Sequence, residues 1–551
     1  MSDGQDQFEG ASAERAGSRV PRFARVCAIV LAGCVILAVA PLILAFIPRG
    51  PAVGTVPGAL ELILPRTGPL VLNSLLASAA VGLCATGLGL AVAWTTRGLR
   101  GAGLLSHMAV LLPLMLPAYL SYSGWSVLRA PGSWLGDWIG SLPGTRAGDV
   151  GRAANIGFAI LGMTLWLWPL AAVLVTANIR RLDADLFYML RLESARGPAR
   201  WWLVVRLLRP SILLSLVTIG ILVMGTAIPL HVANVPTLAI SVWLALDRSP
   251  PGEAWRALLA AWPLWTLAAV AGWWLGGRAS DWATGNRATS SSISVSLRQS
   301  ILLYGATSLS VIIPAALLVN ATRDSASLMR FWRISGNGVL HGLGLATATG
   351  VIIALIAIAT GVAIGSRSWA ASLGKGFVRV MLILGFAPGV LIGTGLVSGW
   401  NRLDSSGFVT SGMMIEVLAH ACRFGWIGAI AGCAMVRMEH PHLRDLRRAD
   451  GAETLAGFAR TGLLLNLPIV AASGLASGML SFTEIEATIV VQPPGTGNLA
   501  RQILNYLHFA RMEEMSAAAA WIVGSGILLT AVIGWLLMLA ERAKRTSGEV
   551  S

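Results

Sequence analysis

The sequence predicts an all-α integral membrane protein of about twelve transmembrane helices, arranged as two halves in parallel repeat. Three observations carry that prediction. Mean hydropathy is +0.71 and only 12% of the 551 residues are charged, a composition too apolar for a surface facing water. Apolar runs of about 20 residues, each long enough for the hydrocarbon core of a bilayer, recur along the whole chain. Two polar, arginine-rich stretches interrupt them at similar points: "RLESARGPARWWLVVRLLRP" at 191–210 and "DLRRADGAETLAGFARTGLLLNLP" at 445–468.

The chain opens with a polar tail, residues 1–24, whose Arg15, Arg19 and Arg22 precede Arg25 and the first apolar run. That run is too long for the core of a signal peptide, and no A-x-A cleavage site follows it closely, so it reads as a retained helix. The spans are placed near 25–48, 70–94, 104–128, 154–178, 211–233, 256–276, 299–319, 339–366, 378–399, 412–435, 469–491 and 516–540. Lys and Arg concentrate in one alternate set of the connecting segments, which puts both termini in the cytoplasm by the positive-inside rule. Pro113 and Pro117 break the third span and Pro388 the ninth. Broken helices are tolerated in a membrane where neighbouring helices or a cavity satisfy the freed backbone, so a pathway lining and a packing kink both fit.

Each half carries a long outer segment after its first span, a kinked third span, a fourth span, a basic cytoplasmic loop and a span opened by proline, Pro210 or Pro468. The domains are therefore 25–276 and 301–541, joined by the Ser-, Gly- and Thr-rich linker 277–300 and followed by a tail at 542–551. The net charge of +15 lies in short arginine segments between apolar runs, which sets topology and leaves no solvated basic domain for nucleic acid. Cys27, Cys34, Cys84, Cys422 and Cys433 all fall in apolar runs with no C-x-x-C pair, and read as small buried hydrophobes.

Ionisable residues inside spans are the chemical candidates, because charge at membrane depth is costly and normally faces the protein interior. Glu416, His420 and Arg423 stand at i, i+4 and i+7, on one face of the tenth span. Either they line a gate or pathway, or they pair with one another as a peg between helices. Glu484 and Glu486, in "SFTEIEAT", point different ways on a helix, and one of them faces a pathway if the segment is unwound. His508 reads as an interfacial residue of a short outer helix. No metal site is expected, since His420 has no second ligand at a metal-binding spacing.

The two polar loops resemble those of inner-membrane permease subunits of binding-protein-dependent ABC importers, whose loop runs E-A-A, three residues, Gly, then an I-x-L-P ending. In the second loop Asp445 stands in the glutamate position six residues before Gly451, and "NLP" ending at Pro468 closes it, about one helical turn late. In the first loop Gly197 and Pro210 keep the thirteen-residue spacing. The acid there is Glu193, two residues nearer the glycine than in the family. Residues 481–510, "HACRFGW" at 420–426 and "LGFAPGVLIG" at 384–393 look like fused permeases of the ferric-iron group, a resemblance good over 338–540 and looser over 70–280. Related permeases for thiamine, polyamines or phosphonates share much of it.

The resemblance implies two permease domains in a bacterial inner membrane, two ATPase subunits receiving the loops as coupling helices, and a binding protein delivering cargo, ferric iron by the nearest resemblance. It implies no cofactor and no catalytic residue in this chain. The residues agree on one point independently: no G-x-x-x-x-G-K-[ST] is present, the nearest candidate being "SLGKGF" around Lys375, so energy comes from a partner or from an ion gradient. Twelve spans in two halves also suit an ion-coupled secondary transporter, with Glu416 as its main coupling acid.

Overall fold

The computed structural model describes residues 22–47, 67–96, 103–179, 198–226, 228–248, 254–284, 297–320, 326–366, 368–439, 444, 446–447, 451, 454–493, 495, 497–509 and 511–549. Glu193, Gly197, Asp445 and residues 285–296 of the linker lie outside them. Every described element is a helix.

In chain order these are α1 (Arg22–Ala45), α2 (Thr67–Thr95), α3 (Leu104–Met115), α4 (Ala118–Ser126), α5 (Trp134–Gly140) and α6 (Thr145–Ile179), then α7 (Pro198–Gly225), α8 (Ile228–Val232), α9 (Leu238–Arg248), α10 (Ala254–Ala260) and α11 (Trp262–Thr284). Beyond the linker come α12 (Leu297–Thr307), α13 (Ile313–Asn320), α14 (Ala326–Gly365), α15 (Trp369–Phe386), α16 (Gly389–Leu403) and α17 (Met413–Met438). The chain closes with α18 (Leu455–Phe458), α19 (Leu464–Phe482), α20 (Glu486–Val491), α21 (Leu499–His508) and α22 (Met512–Glu549). A π-helical turn joins α12 to α13 and another, Ala459–Leu463, joins α18 to α19.

Among the described residues, ten helices are long and apolar enough to cross a membrane, or eleven if α3 and α4, bent by 85° at their break, form one span. The expected twelve are thus not confirmed. The shortfall is α11: it is 23 residues long but carries Trp262, Trp265, Trp273, Trp274 and Trp282 with Arg278 and Asp281. Its indole rings and charges lower its hydropathy, although it packs along α15. Two boundaries also move. The span expected at 339–366 begins at Ala326, because Arg330 and Arg333 extend the helix past its apolar part. The span expected at 378–399 is two helices: Pro388 has no N–H and drives Ala387 into extended backbone (ψ 140°), which ends α15.

Helices pack through small residues, as they do where lipid gives no hydrophobic drive between spans. On α11, a Cβ at Gly272 would lie 2.4 Å from the Ile383 nitrogen and one at Gly276 2.7 Å from the Arg379 Cα, both on α15. The same spacing recurs where Gly474 and Gly478 of α19 meet Gly350 and Ala346 of α14. The packing is also reciprocal across the linker. The first helix, α1, lies against α14, α15 and α16, while α12 and α13 lie against α2, α3 and α4. The last helix before the linker, α11, packs on α15, and the last after it, α22, packs on α3. Large apolar side chains such as Ile29, Leu83, Val351 and Leu528 face outward, more than half exposed.

Candidate functional site

Helix α17 organises the polar interior. Its face at Glu416, His420 and Arg423 is a single one, as the spacing predicts, but the three side chains do not pair with one another. Each reaches a different neighbour. Glu416 is 0% exposed and bridges α14 to the segment before α21: His341 Nε2 lies 3.1 and 3.2 Å from its two oxygens, and Asn498 Nδ2 donates to Oε2 at 3.1 Å. Asn498 also accepts from the Ala500 N–H at 2.8 Å, closing the start of α21. One turn along, buried His420 places Nδ1 2.6 Å from Ser481 Oγ and Nε2 2.9 Å from Thr488 Oγ1, and Ser481 donates to Thr349 at 3.3 Å. With both ring nitrogens met by hydroxyls, the imidazole is held as a link between α17, α19 and α20.

Arg423 sits where two broken helices meet. Had α15 continued, the carbonyls of Gly385 and Ala387 would have accepted bonds from residues 389 and 391; the break at Pro388 frees them. Arg423 Nη1 donates to both, to Gly385 at 3.2 Å and at closer range to Ala387. Its guanidinium also lies 4.0 Å from Glu484 Oε1 and 3.7 Å from Glu486 Oε2. Glu484 stands in the gap between α19 and α20, and its Oε1 accepts from the Ala487 N–H at 3.2 Å, so it caps α20 as well. Glu484 and Glu486 therefore face the same cation, which an unbroken helix would prevent. Gly389 makes the approach possible: a Cβ there would lie 2.9 Å from Glu484 Oε1 and 3.0 Å from the Ala487 nitrogen.

The five in-span candidates thus fall into two groups: Glu416 with His341 and Asn498, and His420 with Arg423, Glu484 and Glu486, joined where Thr488 donates to the Glu484 carbonyl at 2.6 Å. Sequence reasoning missed His341, Asn498, Ser481, Thr488 and Thr349. His341 alone carried a signal, as the single histidine of a long apolar helix. Among the described residues, no group of three or more His, Cys, Asp or Glu side chains is placed to hold a metal ion, and the five cysteines are unbridged. These contacts tie α14, α17, α19 and α20 to one another and to the start of α21.

Comparison with known family models, curated proteins and solved structures finds no match.

The loop that follows α17 is the second site the sequence singles out. Gly451 adopts φ +82°, a left-handed turn that side chains with a Cβ rarely take. A Cβ there would meet nothing within 4 Å, so conformation and not space selects glycine. Thr454 then opens α18, its Oγ1 accepting from the Gly457 N–H at 3.0 Å. Pro468 lies inside α19 and Pro210 inside α7, so neither proline begins its helix as the sequence suggested. Both helices start earlier and continue through the proline, whose missing donor leaves one open carbonyl on the preceding turn.

Proposed function

We infer that the chain is the membrane-spanning permease of a binding-protein-dependent ABC importer. It sits in a bacterial inner membrane with both termini in the cytoplasm and forms the pathway for a solute, ferric iron by the nearest resemblance. The observation that carries this reading is the left-handed turn at Gly451, in a basic loop after α17. It stands at the glycine of the loop pattern that importer permeases resemble. Reciprocal packing of α1 and of α12–α13 across the linker supports two permease domains of like design, each offering one loop to an ATPase subunit. The polar network between α14, α17, α19 and α20 supplies a lining at the helix breaks, where charged groups at depth mark a pathway. ATP hydrolysis belongs to the partner in this reading, and a separate binding protein delivers the cargo.

Co-purification tests it. Tagged wild-type protein should retain an ATPase subunit in mild detergent, and Gly451→Trp should lose it while still inserting, because the bulky residue is forced out of the left-handed turn. Wild-type protein that retains no ATPase in any mild detergent would sink the reading. One observation favours a second reading, an ion-coupled secondary transporter: Glu416 is a fully buried acid bridged by His341 inside a span. The two readings differ in what drives uptake.

A further inference from the structure

A second cluster of charge lies at the other end of α17 and takes no part in the network around Arg423. The helix stops at Met438, and Glu439 follows it. Glu439 receives two arginines of the loop: Arg447 Nε donates to Oε1 at 2.7 Å and Arg444 Nε to Oε2 at 3.2 Å. Arg444 Nη2 also donates to the Val436 carbonyl at 2.7 Å, placing a cation on the open end of α17, where the helix dipole favours it. These side chains are mostly buried: 13% exposed for Glu439 and 15% for Arg447. Exposed surface pairs contribute little, but a pair held this far from water, with two donors on one carboxylate, fixes geometry.

The cluster reaches further than the loop. The Arg447 guanidinium stands 5.6 Å over the Phe458 ring of α18, and Phe458 packs at 5.3 Å against Phe23 in the first turn of α1. Room for Arg447 comes from Gly462, where a Cβ would lie 2.7 Å from Nη1. Gly462 belongs to the π-helical turn Ala459–Leu463, the kind of local widening that recurs at functional positions. A cavity of about 70 Å³ lies beneath, bounded by Phe23, Glu439, Arg444, Arg447, Phe458 and Asn466 among others. Three spans therefore meet the loop at one carboxylate: α17 through the chain itself, α19 through Phe458 and the π turn, and α1 through Phe23.

We propose that Glu439 is the positioning residue that transmits movement of the Gly451 loop to α17, α19 and α1 together. The inference rests on the importer reading and adds to it the joint through which the loop acts. Without the clasp, Arg444 and Arg447 have no shared anchor at the end of α17. With it, displacement of Arg444 and Arg447 pulls on the end of α17, fifteen residues and about 22 Å along the axis from Arg423 at 1.5 Å per residue. The same pull reaches the α19–α20 break from the other side.

The test measures cargo imported per ATP hydrolysed. Proteoliposomes would hold the chain with its co-purified ATPase and binding protein, and citrate-chelated Fe(III), thiamine and spermidine would serve as cargo probes. In Glu439→Gln the ATPase should stay bound and keep hydrolysing ATP, while the import-to-hydrolysis ratio falls about tenfold, within the usual range for coupling between sites. Glu439→Asp should keep most of the ratio. Phe23→Leu keeps apolar volume without the ring contact and should lower it by a smaller factor. It carries the test if Glu439→Gln fails to insert. An unchanged ratio in these variants overturns the proposal, and so does a parallel fall of hydrolysis and import, which marks a merely structural role. Loss of ATPase binding in Glu439→Gln overturns it as well, making Glu439 a docking residue. Wild-type protein with no ATP-driven uptake of any probe removes the importer reading itself, and this inference with it.

Discussion

Two spans of this protein are broken by proline, and the two breaks differ in the chemistry around them. Near Pro117, between α3 and α4, the close contacts come from neutral residues. Gly162 of α6 lets the backbone of Tyr122 approach until a Cβ would lie 2.9 Å from its nitrogen, and Tyr122 donates to Asn155 at 3.0 Å. From Ala153 to Ile179, α6 carries no ionisable residue. At Pro388, between α15 and α16, the repair is ionic: Arg423 takes the freed carbonyls and holds two carboxylates beside them. A helix break in a membrane needs donors for its open carbonyls, and it does not need charge. An arginine that takes the freed carbonyls and holds two carboxylates marks the Pro388 break as the place where the structure gains something besides a bend.

The largest effect that sharpens this contrast is removal of the arginine. Arg423→Leu leaves Glu484 and Glu486 facing each other and two carbonyls without a donor; it should destabilise the protein by about 3–5 kcal/mol, the scale for breaking a buried pair. Thermal unfolding in detergent reads it, and the added change Glu486→Gln should recover part of the loss. Equal stability of Arg423→Leu and wild type would place the guanidinium outside the fold's framework. Next come the glycines of close approach. Gly389→Val should cost about 1–3 kcal/mol through overpacking against Glu484 and Ala487. Gly124→Val should cost a similar amount at the neutral break, where a Cβ would lie 2.5 Å from the Pro314 Cβ.

A smaller effect separates two tyrosines of the neutral break. Tyr122→Phe removes the bond to Asn155 and should cost about 1 kcal/mol. Tyr119 has no hydrogen-bond partner for its hydroxyl among the described residues, so Tyr119→Phe should be neutral or slightly stabilising in the same assay. A loss at Tyr119 as large as at Tyr122 would mean that its hydroxyl is satisfied after all.

The smallest effect lies in the turn after α16. There the Ser406 hydroxyl, and then the N–H groups of Val409, Thr410 and Phe408, hold the Asp404 carboxyl below its ordinary value. With the folded pKa depressed, the contribution is present above the unfolded value near 3.8 and is lost as pH falls through the folded one. Hydrogen exchange of the 404–411 turn should therefore accelerate only in strong acid. In Asp404→Asn that pH step should vanish.

Much of this was legible in the sequence. Apolar runs located the long helices, Pro117 and Pro388 located the breaks, and the i, i+4, i+7 spacing put Glu416, His420 and Arg423 on one face. The partners were not legible. Glu416 meets Asn498 and His341, and His420 meets Thr488, across separations of 68 to 82 residues that no local periodicity encodes. Mutual pairing along α17 was the simpler expectation. It fails because each residue is drawn to a polar group on another helix that would otherwise stay unsatisfied. The twelfth span is not confirmed at α11, whose five tryptophans and Arg278 and Asp281 lower its hydropathy.

The most direct test of the account is uptake into proteoliposomes with the energy source controlled. The chain, its co-purified ATPase and its binding protein would be supplied either with ATP and no ion gradient, or with a proton gradient and no ATP. The account predicts uptake with ATP alone and none with the gradient alone. Uptake that follows the gradient, and persists when the ATPase is left out, would contradict it and make the Glu416–His341 pair the centre of an ion-coupled carrier.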